Sequence, residues 1–452
     1  MLKVTSALYK YGGVGIITKA AEKPREPFQV NTDVNGMTVV SVTPKYRTMT
    51  RVAAVFNAGS RHETHESQGL NHLLRRSVGL SSGGFSAINV TRHFQQMAVN
   101  LRCVGTRESL SYIADFSDNI KDKVLELLAI TTTRQTFYAW ELEESSKKLM
   151  EFDIQYLNRR DFDMLSSELL HKAAYRDTIG NSLFANPYKL GGWKIDNIEN
   201  FLNQTFTANN SMLIGISINH ESLVKHAETF KIRPRITPVV SKAVFRGGEF
   251  RQDLPIGLGK VSLVWEAPGL NNIQDAFATS ILANAIDNGI NMNIKWNAGE
   301  LELLRRLVKD NKVTDNCVAN SVYTCYSDTG MLGFTVDGDP DVIGESVNVI
   351  YKHFKEVGNN GISQKDFDAA KTQLKIKLLK QSTSLDGLIE SLIAQSSLEN
   401  VLLSIEDMLK LADNININDV NKVAKSVLTH SKLAMSGVGE LHNVPYLSDL
   451  QS

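Results

Sequence analysis

Apolar and polar positions change period in the same order twice along the chain. From Glu108 to Phe116 they alternate as on a half-buried strand, and a helical pattern follows with Ile120, Val124, Leu127 and Leu128 on one face. From Asp328 to Thr335 a second strand pattern appears, followed by a helix carrying Val342, Ile343, Val347 and Ile350. Further on, Ser211–Ile216 in the first half resembles Lys432–Gly437 in the second. Leu110 to Met331 and Met212 to Leu433 are both 221 positions apart. A shared offset of that length predicts a duplicated domain, not a solenoid of short repeats.

The join between the copies is legible. Lys231-Ile232-Arg233-Pro234-Arg235-Ile236-Thr237-Pro238 has two prolines, several cations and no apolar periodicity, so it reads as an extended linker before Gly247-Gly248. The expected division is an N-terminal segment 1–28, a first domain 29–230, a linker 231–246 and a second domain 247–452. Strands mixed with long helices, without regular β-α-β alternation, point to an α+β layered fold.

Composition narrows the function. With 452 residues, 42% hydrophobic, 22% charged and zero net charge, the chain has the make-up of a soluble globular protein. It carries no bulk charge that would draw nucleic acid or acidic lipid, and no apolar run reaches membrane-span length. Three dispersed cysteines (Cys103, Cys317, Cys325) form neither a disulfide framework nor a metal clip. Residues 1–21 hold Lys3, Lys10, Lys19 and hydroxyl side chains but no acid, the composition of a mitochondrial transit segment, although arginine is missing until Arg25.

The stretch richest in chemistry is His72-Leu73-Leu74-Arg75-Arg76. Inverted zincins carry H-x-x-E-H on a helix, two histidines binding zinc and the glutamate acting as base. Here the first histidine is present, the base position is Arg75 and the second ligand position is Arg76. A guanidinium has five donors and no acceptor, so it neither binds zinc nor accepts a proton. The upstream His62-Glu63-Thr64-His65-Glu66 misses the H-E-x-x-H pattern by one residue and reads as a solvated polar turn. A sharper expectation is that one of the two guanidinium groups fills the vacant metal position and pairs with Asp153 or Glu151.

The chain resembles the mitochondrial processing peptidase family and, within it, the second core subunits of ubiquinol–cytochrome c reductase (respiratory complex III). The resemblance rests on segments in family order: 56–61, 84–92, 170–175, 206–212, 245–249, 326–334 and 369–375. It implies two similar α+β domains, each a mainly antiparallel sheet backed by helices. It puts the third zinc-ligand position near Phe152, between Glu151 and Asp153. It also implies a non-catalytic subunit without cofactor or metal, paired with the first core subunit. The pair would sit on the matrix side of the inner membrane, supporting the cytochrome b, cytochrome c-type and iron–sulfur subunits, and held to the membrane by those proteins alone. The alternative within the family is the non-catalytic substrate-binding subunit of the processing peptidase. That relative carries a glycine-rich loop where this chain has Ile281–Met292 with one glycine, Gly289. An active zinc endopeptidase would need a base and ligands that are not supplied.

Overall fold

A computed structural model describes residues 28–44, 49–234, 241–287, 317–398 and 402–451. The expected transit segment up to Pro27, part of the linker and the residues from Asn288 to Met292 lie outside them, while Phe28 already belongs to the first strand.

Each half builds one sheet. The first has strand order β1-β2-β6-β3-β5-β4, with β1 Phe28–Val34, β2 Met37–Val42, β3 Thr50–Phe56, β4 Asn100–Gly105, β5 Leu110–Phe116 and β6 Ser211–Ile216. The second has order β7-β11-β8-β10-β9, with β7 Gly248–Asp253, β8 Gly259–Ala267, β9 Cys317–Cys325, β10 Gly330–Gly338 and β11 Leu433–Gly439. One pair in each sheet is parallel, β2 with β6 and β7 with β11; the others are antiparallel.

The duplication reaches single-residue register. In the first sheet Val55 stands between Ser111 and Met212; in the second, Trp265 stands between Leu332 and Leu433. Ser111 to Leu332 and Met212 to Leu433 keep the offset of 221 read from the sequence. The paired helices also form, at Lys121–Thr133 and Ile343–Asn360.

The central strands are apolar on both faces because helices cover both. Val52, Ala54 and Phe56 of β3 face a core shared with Leu70, Leu73 and Leu74, while Ala53 and Val55 face the opposite way. That opposite face is covered by Leu388, Ile389, Leu392 and Ile393 of the helix Leu385–Gln395, which comes from the second half. Reciprocally, the helix Phe162–Tyr175 of the first half packs Leu170, Ala173 and Ala174 on Val264, Met331 and Ala434 of the second sheet. The inner core of the second sheet is built on Trp265, stacked with Tyr351 at 5.9 Å and Phe354 at 5.3 Å.

Candidate functional site

The altered motif occupies a seven-residue helix, Leu70–Arg76, laid against β4 and the helix Lys147–Arg159. Leu70, Leu73 and Leu74 pin it to the first core. Its start is fixed by Glu63, whose carboxylate accepts the backbone N–H of Gly69 at 2.9 Å and of Asn71 at 2.7 Å. Glu63 is buried, and burial lifts its pKa from 4.5 to about 7 against those two donors. The solvated turn expected over 62–66 is therefore half right. His65 and Glu66 are exposed, but Glu63 turns inward because a helix start needs acceptors for its free N–H groups. His62 is pushed down from 6.5 to about 4 by burial and by the neighbouring Arg61 charge.

His72 is fully buried, and both its nitrogens are committed. Nδ1 accepts the N–H of Ala185 at 3.2 Å, so the proton sits on Nε2, which donates to Asp153 Oδ2 at 2.9 Å. Burial, opposed by Asp153 and aided by Arg75 and Arg76, lowers its pKa. Arg76 grips the same carboxylate with both arms of its fork: Nε donates to Oδ2 at 2.5 Å and Nη2 donates to Oδ1. Asp153 is held below the usual carboxylate range, burial opposing and His72 and Arg76 prevailing. The Arg76 side chain stays 43% exposed.

Of the three residues at and around Phe152, Asp153 is the one that turns inward. Phe152 is 64% exposed and points away, and Glu151 is exposed too. Asp153 is the side chain that meets His72. Met150, Ile154 and Leu157 bury the inner face of that helix and set which residue turns inward. A π-helical turn at Leu142–Ser146 precedes it, and Ser146 Oγ reaches the carbonyl of Arg76 at 3.2 Å. Such a turn shifts the helical phase, and no pattern of apolar positions announces it.

Arg75, in the base position, is turned away from Asp153. Its Nη2 donates to the carbonyl of Leu183, and its guanidinium lies 5.5 Å from the centre of the Phe184 ring. Burial lowers its pKa. Gly105 on β4 makes room for it, since a Cβ there would lie 2.6 Å from Arg75 Cδ.

These residues do not fit zinc. The His72 lone pair is engaged by Ala185, its proton faces Asp153, and both Asp153 oxygens are held by a permanent cation. No free lone pairs converge on a point that a metal could occupy, so this arrangement supports no metal-dependent step. Among the described residues, no three His, Cys, Asp or Glu side chains gather elsewhere as a metal site.

Residues 38–187 match the family described as "Insulinase (Peptidase family M16)", and residues 192–374 match "Peptidase M16 inactive domain". The chain is 27% identical over 418 residues to "Cytochrome b-c1 complex subunit 2, mitochondrial" of Mus musculus, covering 92% of this chain and 90% of that one. It is 26% identical over 425 residues to "Mitochondrial-processing peptidase subunit alpha-2" of Dictyostelium discoideum, covering 92% and 93%. Its fold matches a chain of the solved "Complex III2 from Candida albicans, Inz-5 bound", with a TM-score of 0.79 at 18% identity over 94% of this chain and 99% of that one.

Proposed function

We propose that this chain, which belongs to the M16 peptidase family, is a non-catalytic core subunit of mitochondrial respiratory complex III, of the second core type. The observation that carries the reading is the Arg76–Asp153 pair, in which both oxygens of the carboxylate beside His72 are held by a side chain that can bind no metal. The match to complex III subunit 2 along nine-tenths of both chains supports it. Its work is then mechanical: to hold a fold and present surfaces, so that electron transfer from ubiquinol to cytochrome c proceeds in its partners. Those partners are the first core subunit, the cytochrome b and cytochrome c-type subunits and the iron–sulfur subunit. It would lie peripherally on the matrix side of the inner membrane. In keeping with this, no helix among the described residues is long and apolar enough to cross a membrane.

Residues 1–28 would then be a transit segment, and the rest would divide at the 231–246 linker. The second reading is the substrate-binding subunit of the processing peptidase, whose α subunits match at similar length. The single glycine in Ile281–Met292 speaks against it.

Native electrophoresis of detergent-solubilised mitochondrial membranes, with this chain identified by mass spectrometry, separates the two. Co-migration with cytochrome b in a band with quinol–cytochrome c reductase activity is expected. Recovery in the soluble matrix with a zinc-containing partner would replace this proposal with the second reading.

A further inference from the structure

The two hairpins that carry the edge strands end in equivalent turns. In the first sheet the pair Gly105 and Leu110 is closed by Thr106–Ser109, with the Thr106 N–H bonded to the Ser109 carbonyl at 2.8 Å. In the second, the pair Cys325 and Gly330 is closed by Tyr326–Thr329, with Tyr326 N–H bonded to the Thr329 carbonyl at 2.8 Å. The two turns meet tip to tip.

Every side chain of the second turn is held by the first half. Tyr326 Oη lies 2.6 Å from His171 Nε2, and it donates, because His171 Nδ1 gives its proton to the Ser167 carbonyl at 2.6 Å. Ser327 donates to Glu108 from its N–H at 3.2 Å and from its hydroxyl at 2.5 Å. Asp328 receives Arg61, whose Nη1 is 3.0 Å from Oδ1 and whose Nη2 bonds Oδ2. Thr329 Oγ1 is 3.1 Å from Tyr175 Oη. Arg61 also donates to Glu108 at 2.8 Å, so one guanidinium ties both turns together. Arg61, Glu108, His171, Tyr175 and Thr329 are all buried.

We propose that this turn-against-turn lock, with the exchanged helices on either side, fastens the halves into one cooperative rigid body. Duplicated domains joined by an extended linker would by default move against each other. Here the joint is buried and its charges are paired within it. Opening it would break these hydrogen bonds together and expose to water the apolar surface packed around them, Leu170, Ala173, Tyr175 and Phe245 among it, which is costly. The exchanged helices add a second constraint, because separating the halves strips an apolar helix from each sheet. The lock belongs to the chain itself, whichever complex that chain serves.

Hydrogen–deuterium exchange on the full-length chain under mildly denaturing conditions tests it. In the native protein, the strands of both sheets and the helices Phe162–Tyr175 and Leu385–Gln395 should open with one common free energy. Two separate opening energies, one for each sheet, would overturn the proposal. Arg61→Met, which keeps the stem and removes the fork, should speed exchange on the order of tenfold in both exchanged helices as well as in the turns. Acceleration confined to the turn residues would also overturn it. Ser327→Ala removes only one hydroxyl and should give the same distribution of changes at smaller size, so the test survives if Arg61→Met does not fold.

Discussion

Arg76 acts as a fastener, its fork holding both oxygens of Asp153. A zinc ion draws its strength from several ligand lone pairs, whereas a guanidinium offers planar donors that match one carboxylate. Arg76→Ala should cost about 1 kcal/mol, held to that size by the exposure of the side chain, and is checked by denaturant unfolding. Arg76→His would put a second imidazole one helical turn from His72 and free Asp153 to turn to a metal. Ala185 would still hold the His72 lone pair, so the variant should bind no cobalt(II) and stay colourless. Visible cobalt(II) absorption would show that His72 can give up its bond from Ala185 to take a metal. Neighbouring groups give a pH prediction. His62 has a lowered pKa, so its contribution is lost as pH falls from 6.5 through about 4. Glu63 has a raised pKa, so its contribution is present below 4.5 and lost as pH rises through about 7. The two slopes oppose each other over nearly the same window. In Glu63→Gln only the histidine slope remains, and unfolding midpoints should fall more steeply on acidification than in the native chain.

At the scale of elements, the repeated strands and helices read from the sequence do form, and their bounds moved by only a few residues. The Asp328 strand begins at Gly330 because Tyr326–Thr329 form a turn. What periodicity could not say is which sheet a helix covers. Leu385–Gln395 looks like any amphipathic helix of the second half, yet its apolar face completes the first sheet, and Asp386 at its start receives Arg51 at 2.5 Å and Arg102 at 2.6 Å. Leu392→Ala should cost about 2–4 kcal/mol, and the lost protection should appear in β3 and β6, strands of the other half, by hydrogen exchange. Leu127 and Val347, each buried on a helix of the repeated strand–helix unit, should cost a similar amount when cut to alanine, about 2–4 kcal/mol.

For the whole molecule, a scaffold reading makes stability the phenotype. Variants such as Leu392→Ala should lower the amount of assembled complex III on native gels, with turnover per assembled complex unchanged; a normal amount of complex with altered turnover would point to a role in the chemistry. The chain alone declared its class and its duplication, and that Arg75 and Arg76 can neither ligate a metal nor accept a proton, because these rest on local rules. Period tells strand from helix, an offset tells a repeat, and arginine has no lone pair in any setting. The family resemblance added a position near Phe152, between Glu151 and Asp153. Choosing Asp153 among them took the folded helix, since the side that turns inward depends on the phase set by the π-helical turn and the packing of Met150, Ile154 and Leu157. The inward turn of Glu63, the capture of the 326–329 turn and the exchange of helices were equally closed to sequence. Each joins groups far apart along the chain or depends on what is buried around them, and such pairings are fixed by tertiary packing and by the need to satisfy buried polar groups.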